Sequence, residues 1–488
     1  MSVVIKAFKT PKGKYVYDRE TSSVLSVSDT EFIALKRVEN NEASETDWKT
    51  LQRYIDQGYL PKNHIERVAF PDTFRYELNS RIQQLTLQVT QNCNLRCSYC
   101  AYSGGYEHQR THSNKTMPLS IMKKSIDFAM ARSKESGFLY IGFYGGEPLL
   151  EIRQIQTCVD YVKEVYGGRA VMYNITTNGT LFNDKIIKFL MENNINVTIS
   201  IDGPRELHNA NRVYADGRGS FDDIMKNMAH IKECYPQFFR TIQFITTVAP
   251  GVDLSCINNF FDAETILAES SIRQNRVSEL SSKEAITYDD QYYLTDNYQQ
   301  VKTLLAALGL YPEEKTSRLF IRNISHVERL HEGLSKQIPS GTLHPGGPCI
   351  PGAARLFITA DGTFYPCERV NEDSEIMKIG HIDHGFDLEK IEQLLNVGKL
   401  TEEECKACWN FVNCTLCCVA ADGGTKLPIA DWQKEQKERA AKRYTLCDEY
   451  YSLKDEIPNM EAIRRSIEGL IRDEPQRGQP IRGYDAEI

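Results

Sequence analysis

Leu85, Leu87 and Val89 alternate with polar neighbours, and this period of two marks residues 85–90 as a strand with one apolar face. Short stretches of the same character recur at 138–144, 170–176, 197–201 and 240–248, with a weaker sixth at 271–277. Between them the apolar spacing lengthens to helical over 120–135, 152–165, 184–193 and 221–234. The helix at 184 starts behind Asn183 and repeats Ile186, Ile187, Leu190 and Met191 on one side. Repeated strand–helix units predict an α/β fold with a parallel sheet and right-handed crossovers. When such a sheet closes or partly closes, its chemistry sits at the carboxyl ends of the strands. Cys93, Gly145, Asn178 and Asp202 all fall there.

Residues 1–80 read as a separate small unit. Strands are predicted at 3–8, 14–18 and 24–27, with turn chemistry at Pro11, Lys12 and Gly13. Asp29 or Thr30 then caps a helical run containing Phe32, Ile33 and Leu35, and a second run over 47–59 puts Trp48, Leu51, Tyr54 and Ile55 on one face. Three strands with two or three helices is winged-helix-like. An open strand in such a unit suits edge addition of an extended peptide; a packing appendage fits the pattern as well. Residues 279–345 read as helical and polar. From Gly346 the chain turns cysteine-rich as far as Cys447, with a charged, solvated helix expected at 431–444. Pro, Gly and charge in the last residues predict a loose tail. The expected units are therefore 1–80, 81–345, 346–450 and 451–488.

Length and charge narrow the classes. A chain of 488 residues can bury a large core over several domains, and a net charge of -8 offers no basic field for nucleic acid. The N-terminus lacks an apolar signal region, and no run approaches the roughly 20 apolar residues of a membrane span. A cytoplasmic protein is expected. Its 14 cysteines then need a reason other than disulfides. Most cluster, which reads as metal or cluster ligation, whereas Cys158, Cys234 and Cys256 stand alone and read as small buried hydrophobes.

Cys93, Cys97 and Cys100, spaced C-x3-C-x2-C around Tyr99, supply three thiolates. Three thiolates suit a [4Fe–4S] cluster with one iron open; zinc would want a fourth ligand, for which His108 and His112 are nearby but oddly spaced. After the second strand comes Gly145-Gly146-Glu147-Pro148, the third ends in Thr176-Thr177-Asn178-Gly179, and the fourth in Ser200-Ile201-Asp202-Gly203. His208 to Arg212 follow. In this order these motifs resemble the radical S-adenosylmethionine superfamily. The resemblance implies a partial (β/α)6 TIM-like barrel in which S-adenosylmethionine chelates the open iron. Tyr99, Gly145, Gly146, Glu147, Thr177, Asn178, Ser200, Asp202 and Arg212 are then its expected contacts, Glu147 for the ammonium and Arg212 for the carboxylate.

A second set follows: Cys349, Cys367, Cys405, Cys408, Cys414, Cys418 and Cys447. It resembles the seven-cysteine SPASM extension of radical enzymes acting on peptides and proteins; the alternative is a zinc ribbon. The resemblance implies two auxiliary [4Fe–4S] clusters, an outer one on Cys405, Cys408, Cys414 and Cys447 and an inner one on Cys349, Cys367 and Cys418. Some SPASM enzymes carry an eighth cysteine upstream of the position of Cys349. Here there is none, which leaves the inner cluster open for a substrate thiolate or for His344. Cys417 fits no slot and is either a bystander or a competing ligand. Glu368 sits where sulfatase-maturing relatives place the proposed substrate base; an exposed surface carboxylate is the other reading.

Tyr102-Ser103-Gly104-Gly105-Tyr106-Glu107 and Arg110-Thr111-His112-Ser113 resemble maturases of the SCIFF and ranthipeptide type, which form thioether bridges and carry an N-terminal peptide-recognition unit. The resemblance implies three [4Fe–4S] clusters and S-adenosylmethionine as cofactors. It implies as partners a precursor peptide with a leader and a cysteine-containing core, and an electron donor such as flavodoxin or ferredoxin. Carbon–carbon cross-linking and formylglycine maturation of sulfatases are the alternatives within the group, and a non-catalytic zinc-binding interaction protein is the alternative outside it.

Overall fold

The computed structural model describes residues 3–10, 13–263, 266–267, 270–279, 281–321, 324, 338–414 and 417–422. Cys447, the charged run at 431–444 and the tail after 450 lie outside them.

The N-terminal unit opens with an antiparallel sheet of β1 (Ile5–Thr10), β2 (Gly13–Asp18) and β3 (Ser23–Val27), in that spatial order. Three helices follow, α1 (Asp29–Glu39), α2 (Glu45–Thr50) and α3 (Gln52–Asp56). The cap of α1 is Ser28, just before the two expected candidates, Asp29 and Thr30. Its hydroxyl accepts from the Glu31 N–H while Glu31 accepts from the Ser28 N–H, a reciprocal capping box. The single helix expected over 47–59 breaks at Leu51, which leaves helical geometry at φ -93° and ψ 1°. The core of this unit closes at Leu60, earlier than the boundary expected at 80. Past it, β4 (Ile65–Val68) pairs outside the unit, and α4 (Phe74–Ser80) buries Phe74 and Leu78 in the main core.

The main sheet contains all six expected parallel strands: β5 (Gln84–Thr90), β6 (Leu139–Gly145), β7 (Val171–Thr177), β8 (Ile195–Ser200), β9 (Gln243–Val248) and β10 (Ser271–Arg276). Crossover helices lie between them: α5 (Leu119–Ala131), α6 (Ile152–Tyr166), α7 (Asp184–Glu192), the short α8 (Arg205–Asn211) and α9 (Phe221–Cys234). The cap before α7 is as expected, with Asn183 Oδ1 accepting from the Lys185 and Ile186 N–H groups at 3.1 Å. Strand β5 is buried on both faces. Leu85, Leu87 and Val89 pack on one side, while Thr86, Gln88 and Thr90 are shut inside on the other. A polar row sealed inside a barrel needs internal partners, because unpaired buried polar groups are costly.

The region expected to be helical and polar holds a long helix, Asp290–Ala307, and also a strand. This is β11 (Gly341–Leu343), which pairs in parallel with β4. The cysteine-rich end then joins the main sheet. β12 (Leu356–Ile358) runs parallel beside β5, and β13 (Thr363–Tyr365), β14 (Gly380–His381) and β15 (Gly385–Phe386) extend that edge antiparallel. Of the three lone cysteines, Cys158 is buried as expected. Cys234 and Cys256 are exposed instead, their sulfurs facing His230 Nδ1 and Asp253 Oδ2 at 3.6 Å. Among the described residues no helix is long and apolar enough to cross a membrane.

Candidate active site

The cysteine loop leaves the end of β5 and is clamped by β6. Gly146 N–H donates to the Thr90 carbonyl at 2.9 Å and Glu147 N–H to that of Asn92 at 2.8 Å. A Cβ on Gly145 would meet Thr90 O at 2.0 Å, and one on Gly146 would meet Asn92 O at 2.0 Å. These glycines therefore serve the close approach of the cysteine loop's own backbone, where a ligand was the expected neighbour. Glu147 is buried, and its carboxylate ties the ends of β6 and β7 together. Oε1 accepts from Leu149 N–H at 3.0 Å and Thr177 Oγ1 at 2.7 Å, and Oε2 from Asn178 N–H at 2.7 Å. Burial holds its pKa above the usual range against those three donors. Asn178 Nδ2 bonds Asn94 Oδ1 at 2.8 Å and lies 3.9 Å from Cys93 Sγ.

The ends of β8 and β9 carry a second junction. Arg212 Nε donates to Asp202 Oδ2 at 3.0 Å, Tyr99 OH donates to the same oxygen, and Thr247 N–H bonds Asp202 Oδ1 at 3.0 Å. The Arg212 guanidinium stands 5.5 Å from the Tyr99 ring centre, and its Nη1 is 3.8 Å from Cys97 Sγ. Behind it His208 accepts from the Asp202 N–H at Nδ1, 3.3 Å, which leaves Nε2–H to donate to Ser220 Oγ at 3.0 Å. Burial lowers its pKa to about 4, so the ring is neutral. Ser200 is buried at the tip of β8. Of the expected contacts, Asn178 and Arg212 reach cysteine sulfurs, and Tyr99 is tied to Asp202.

The pairing of β12 with β5 adds side chains that the motifs did not single out. Glu368 is largely buried, accepts from Arg355 Nη1 at 2.5 Å, and leaves Oε2 buried without a partner. The exposed-carboxylate reading is thereby removed. Glu372 Oε2 accepts from Gln88 Nε2 at 2.7 Å and Arg110 Nε at 2.8 Å, while Glu372 Oε1 and Arg110 Nη2 are buried and unpartnered. The Arg110 guanidinium lies 3.6 Å from the Tyr102 ring centre. Tyr144, one residue before Gly145, is held protonated by burial and then by Glu368, Cys100 and Glu372 in turn. Gln88 and Tyr144 were legible only as polar breaks in apolar strands; Arg355 and Glu372 carry no local signal.

The family model of the radical SAM superfamily matches residues 87–263. An uncharacterized protein of Methanocaldococcus jannaschii is 32% identical over 243 residues, half of this chain and 75% of that protein. The chain belongs to the radical SAM superfamily. A cysteine-type anaerobic sulfatase-maturating enzyme of Clostridium perfringens strain 13 is 24% identical over 345 residues, covering 67% of this chain and 85% of that enzyme. The solved structure of native anSMEcpe with bound AdoMet and Cp18Cys peptide shares the fold at TM-score 0.53 and 20% identity, over 76% of this chain and 99% of that one.

As a radical SAM enzyme the chain requires a [4Fe–4S] cluster and S-adenosylmethionine, and its first cysteine set fits that demand. Cys93 Sγ accepts from Leu95 N–H and Cys100 Sγ from Tyr102 N–H, both at 3.4 Å. With Arg212 near Cys97, each sulfur has a donor or cation that suits a bound thiolate. Burial pushes Cys93 up to about 12 and Cys97 to about 11, so binding iron must displace protons. Among the described residues no three His, Cys, Asp or Glu side chains are arranged to hold a single metal ion. A cubane's thiolates bind separate irons and stand further apart than the ligands of one ion.

The radical SAM barrel meets the second cysteine set through β12. Cys408 N–H donates to the Cys405 carbonyl at 3.1 Å, and burial lifts the Cys408 thiol to about 11. Cys349 precedes β12 and Cys367 follows β13 in the chain, and Cys418 is buried. His344 is engaged elsewhere: its Nε2 meets the Leu395 carbonyl at 2.8 Å and its ring packs on Phe70.

Proposed function

We propose that this radical SAM enzyme is a peptide maturase that installs thioether cross-links from cysteine in a ribosomally made precursor. One observation carries the reading: Glu368 directly follows Cys367, accepts from Arg355 at Oε1 at 2.5 Å, and keeps Oε2 buried without a partner. A substrate between the two cysteine sets would meet both the radical source and an unpartnered carboxylate oxygen.

When bound, the cluster and S-adenosylmethionine supply a carbon radical that can remove a substrate hydrogen. This chain's own groups do the rest. Arg212, Asp202 and Asn178 line the approach to Cys93 and Cys97 and orient the cofactor. Glu368 Oε2 takes a substrate proton, its carboxylate aimed by Arg355. Cys349, Cys367 and Cys418 hold the inner auxiliary cluster, and Cys405, Cys408, Cys414 and Cys447 the outer one, giving three clusters in all. A flavodoxin or ferredoxin serves as reductant.

The N-terminal unit binds the leader by edge addition at β3. The other edge strand is obstructed: the Ala7 N–H of β1 is already taken by Glu39 Oε2 at 3.1 Å, and Val3 bridges to Lys62. On β3, Val24 stands exposed.

The test is anaerobic incubation with S-adenosylmethionine, reductant and any small cysteine-containing peptide found encoded beside the gene. Loss of two hydrogens per bridge with the thiol no longer alkylatable is expected. A product that has lost hydrogens but keeps its thiols would point to carbon–carbon cross-linking. Conversion of a sulfatase-derived peptide cysteine to formylglycine would point to the activity that the Clostridium perfringens relative is named for.

A further inference from the structure

We infer that Arg110 and Glu372 together bind the main chain of one extended substrate residue, Arg110 Nη2 donating to its carbonyl and Glu372 Oε1 accepting from its N–H. The inference deepens the proposed function and rests on its reading that the site takes a peptide.

The two side chains form half of a fork. Arg110 Nε donates to Glu372 Oε2 at 2.8 Å, with the side chains 9% and 4% exposed. In a full fork the guanidinium edge that carries Nε also carries Nη2, which takes the second carboxylate oxygen. Here that second bond is missing. Among the described residues, Arg110 Nη2 and Glu372 Oε1 are both buried without a hydrogen-bond partner. The Tyr102 phenol neighbours the carboxylate yet makes no hydrogen bond to Oε1. A buried donor and acceptor of ionised groups left unmade is costly, and a group bearing one acceptor and one donor satisfies both at once.

Other contacts hold the fork open. Gln88 Nε2 shares Glu372 Oε2 at 2.7 Å, and the Tyr365 hydroxyl bonds the Glu372 carbonyl. Gln109 Oε1 accepts from the Glu372 N–H at 3.0 Å and from the Arg110 N–H at 3.1 Å. The guanidinium is pinned 3.6 Å over the Tyr102 ring, and its Nη1 donates to the Thr111 carbonyl at 3.2 Å. The place suits a substrate. Gln88 is in register with Tyr144, one residue before Gly145, and Glu372 lies on the segment after β13 that also carries Glu368. Arg110 belongs to the segment that runs from the first cysteine set to α5.

In an antiparallel pair of extended chains, one residue exchanges both its N–H and its C=O with the residue opposite. Arg110 and Glu372 present the partner's half of that exchange. Such a pair reads main chain only, so it fixes where a peptide lies without selecting a side chain. A carboxamide side chain presents the same two groups, and the probes of the test therefore carry no Asn or Gln.

The test uses the anaerobic, iron-loaded full-length enzyme with S-adenosylmethionine, and the probe acetyl-Gly-Ala-Cys-Ala-Gly methylamide with each main-chain N–H methylated in turn. Affinity is read by equilibrium dialysis. Methylation at one residue should weaken binding about ten-fold, the worth of a hydrogen bond to a charged group. In Glu372→Gln, Gln88 and Arg110 keep the amide oxygen at the Oε2 place, which puts an N–H₂ where Oε1 stood. The unmodified probe should then bind about ten-fold more weakly, and the methylation penalty should vanish. Arg110→Lys loses Nη2 and keeps Oε1, so it should weaken the unmodified probe and retain the penalty. A penalty equal in wild type and Glu372→Gln, or wild-type affinity in Arg110→Lys, overturns the inference and leaves the peptide reading standing. So does a bound probe with no sensitive position, the result of a pair bridged by water alone. A probe that does not bind at all overturns the peptide reading, and the inference with it.

Discussion

Arg19, 0% exposed, donates from Nη1 to the main-chain carbonyl of Cys408 at 3.1 Å, across 389 residues of sequence. The same nitrogen bonds the Lys406 carbonyl at 2.6 Å, and Nη2 bonds Asn63 Oδ1 at 2.8 Å. Its charge is balanced by Glu20, which accepts from Arg19 Nε at 2.9 Å, and Tyr17 packs edge-on against Trp409. The N-terminal unit is thus fastened to the loop that carries Cys405 and Cys408. Breaking a buried pair from one side strands the other charge, at a cost of about 3–5 kcal/mol. Arg19→Met should lose stability on that scale in denaturant titration and should also lower the iron bound per chain.

Gly146→Ala should be more harmful to iron loading than to secondary structure. Its Cβ would be driven against the Asn92 carbonyl, so the strand end and the cysteine loop cannot both keep their places. Circular dichroism near that of wild type, with the iron–sulfur absorbance reduced, is the expected result.

His208 makes stability depend on pH. Its pKa is about 4 when folded against an ordinary value of 6.5, so the unfolded chain takes up the proton first as pH falls. Stability is therefore complete above the unfolded value and is lost between about pH 6.5 and pH 4, by roughly 3 kcal/mol for this one ring. His112, lowered to about 4 by burial, acts with the same sign. Comparing wild type with His208→Gln at pH 7.5 and pH 5 isolates the contribution: the variant should be weaker at both, with a shallower decline.

Glu368→Gln keeps the shape facing Arg355 but removes the base. Peptide modification should fall by about 10²–10⁴-fold, the usual worth of a positioned base, while 5'-deoxyadenosine continues to form. A parallel fall in both would give the residue a purely structural role.

Leader binding is best tested on β3. Removal of 1–80 would also strip Phe74 and Leu78 from the main core, so loss of binding by that truncation would say little. Val24→Asp places a charge on the exposed edge and should weaken peptide affinity roughly five-fold, about 1 kcal/mol for a cross-strand contact. Formation of 5'-deoxyadenosine in the absence of peptide should not change.

Much of this was written locally. The six strands, the Asn183 cap and the C-x3-C-x2-C loop each depend on residues within a few positions of one another, and periodicity or spacing reveals them. The order of motifs at successive strand ends even named the family. Local pattern failed where two signals were alike over short range, as for the cap of α1 and the helix that breaks at Leu51.

Tertiary structure alone decided the rest. Only the pairing of β12 with β5 brings Glu368 and Glu372 to Tyr144, Gln88 and Arg110. Only packing sets Arg19 on Cys408. The physical reason is common to both. A helix or strand reports its own period, but which polar groups end up sealed together depends on partners hundreds of residues away, and burial is what gives them their pairing and their charge state.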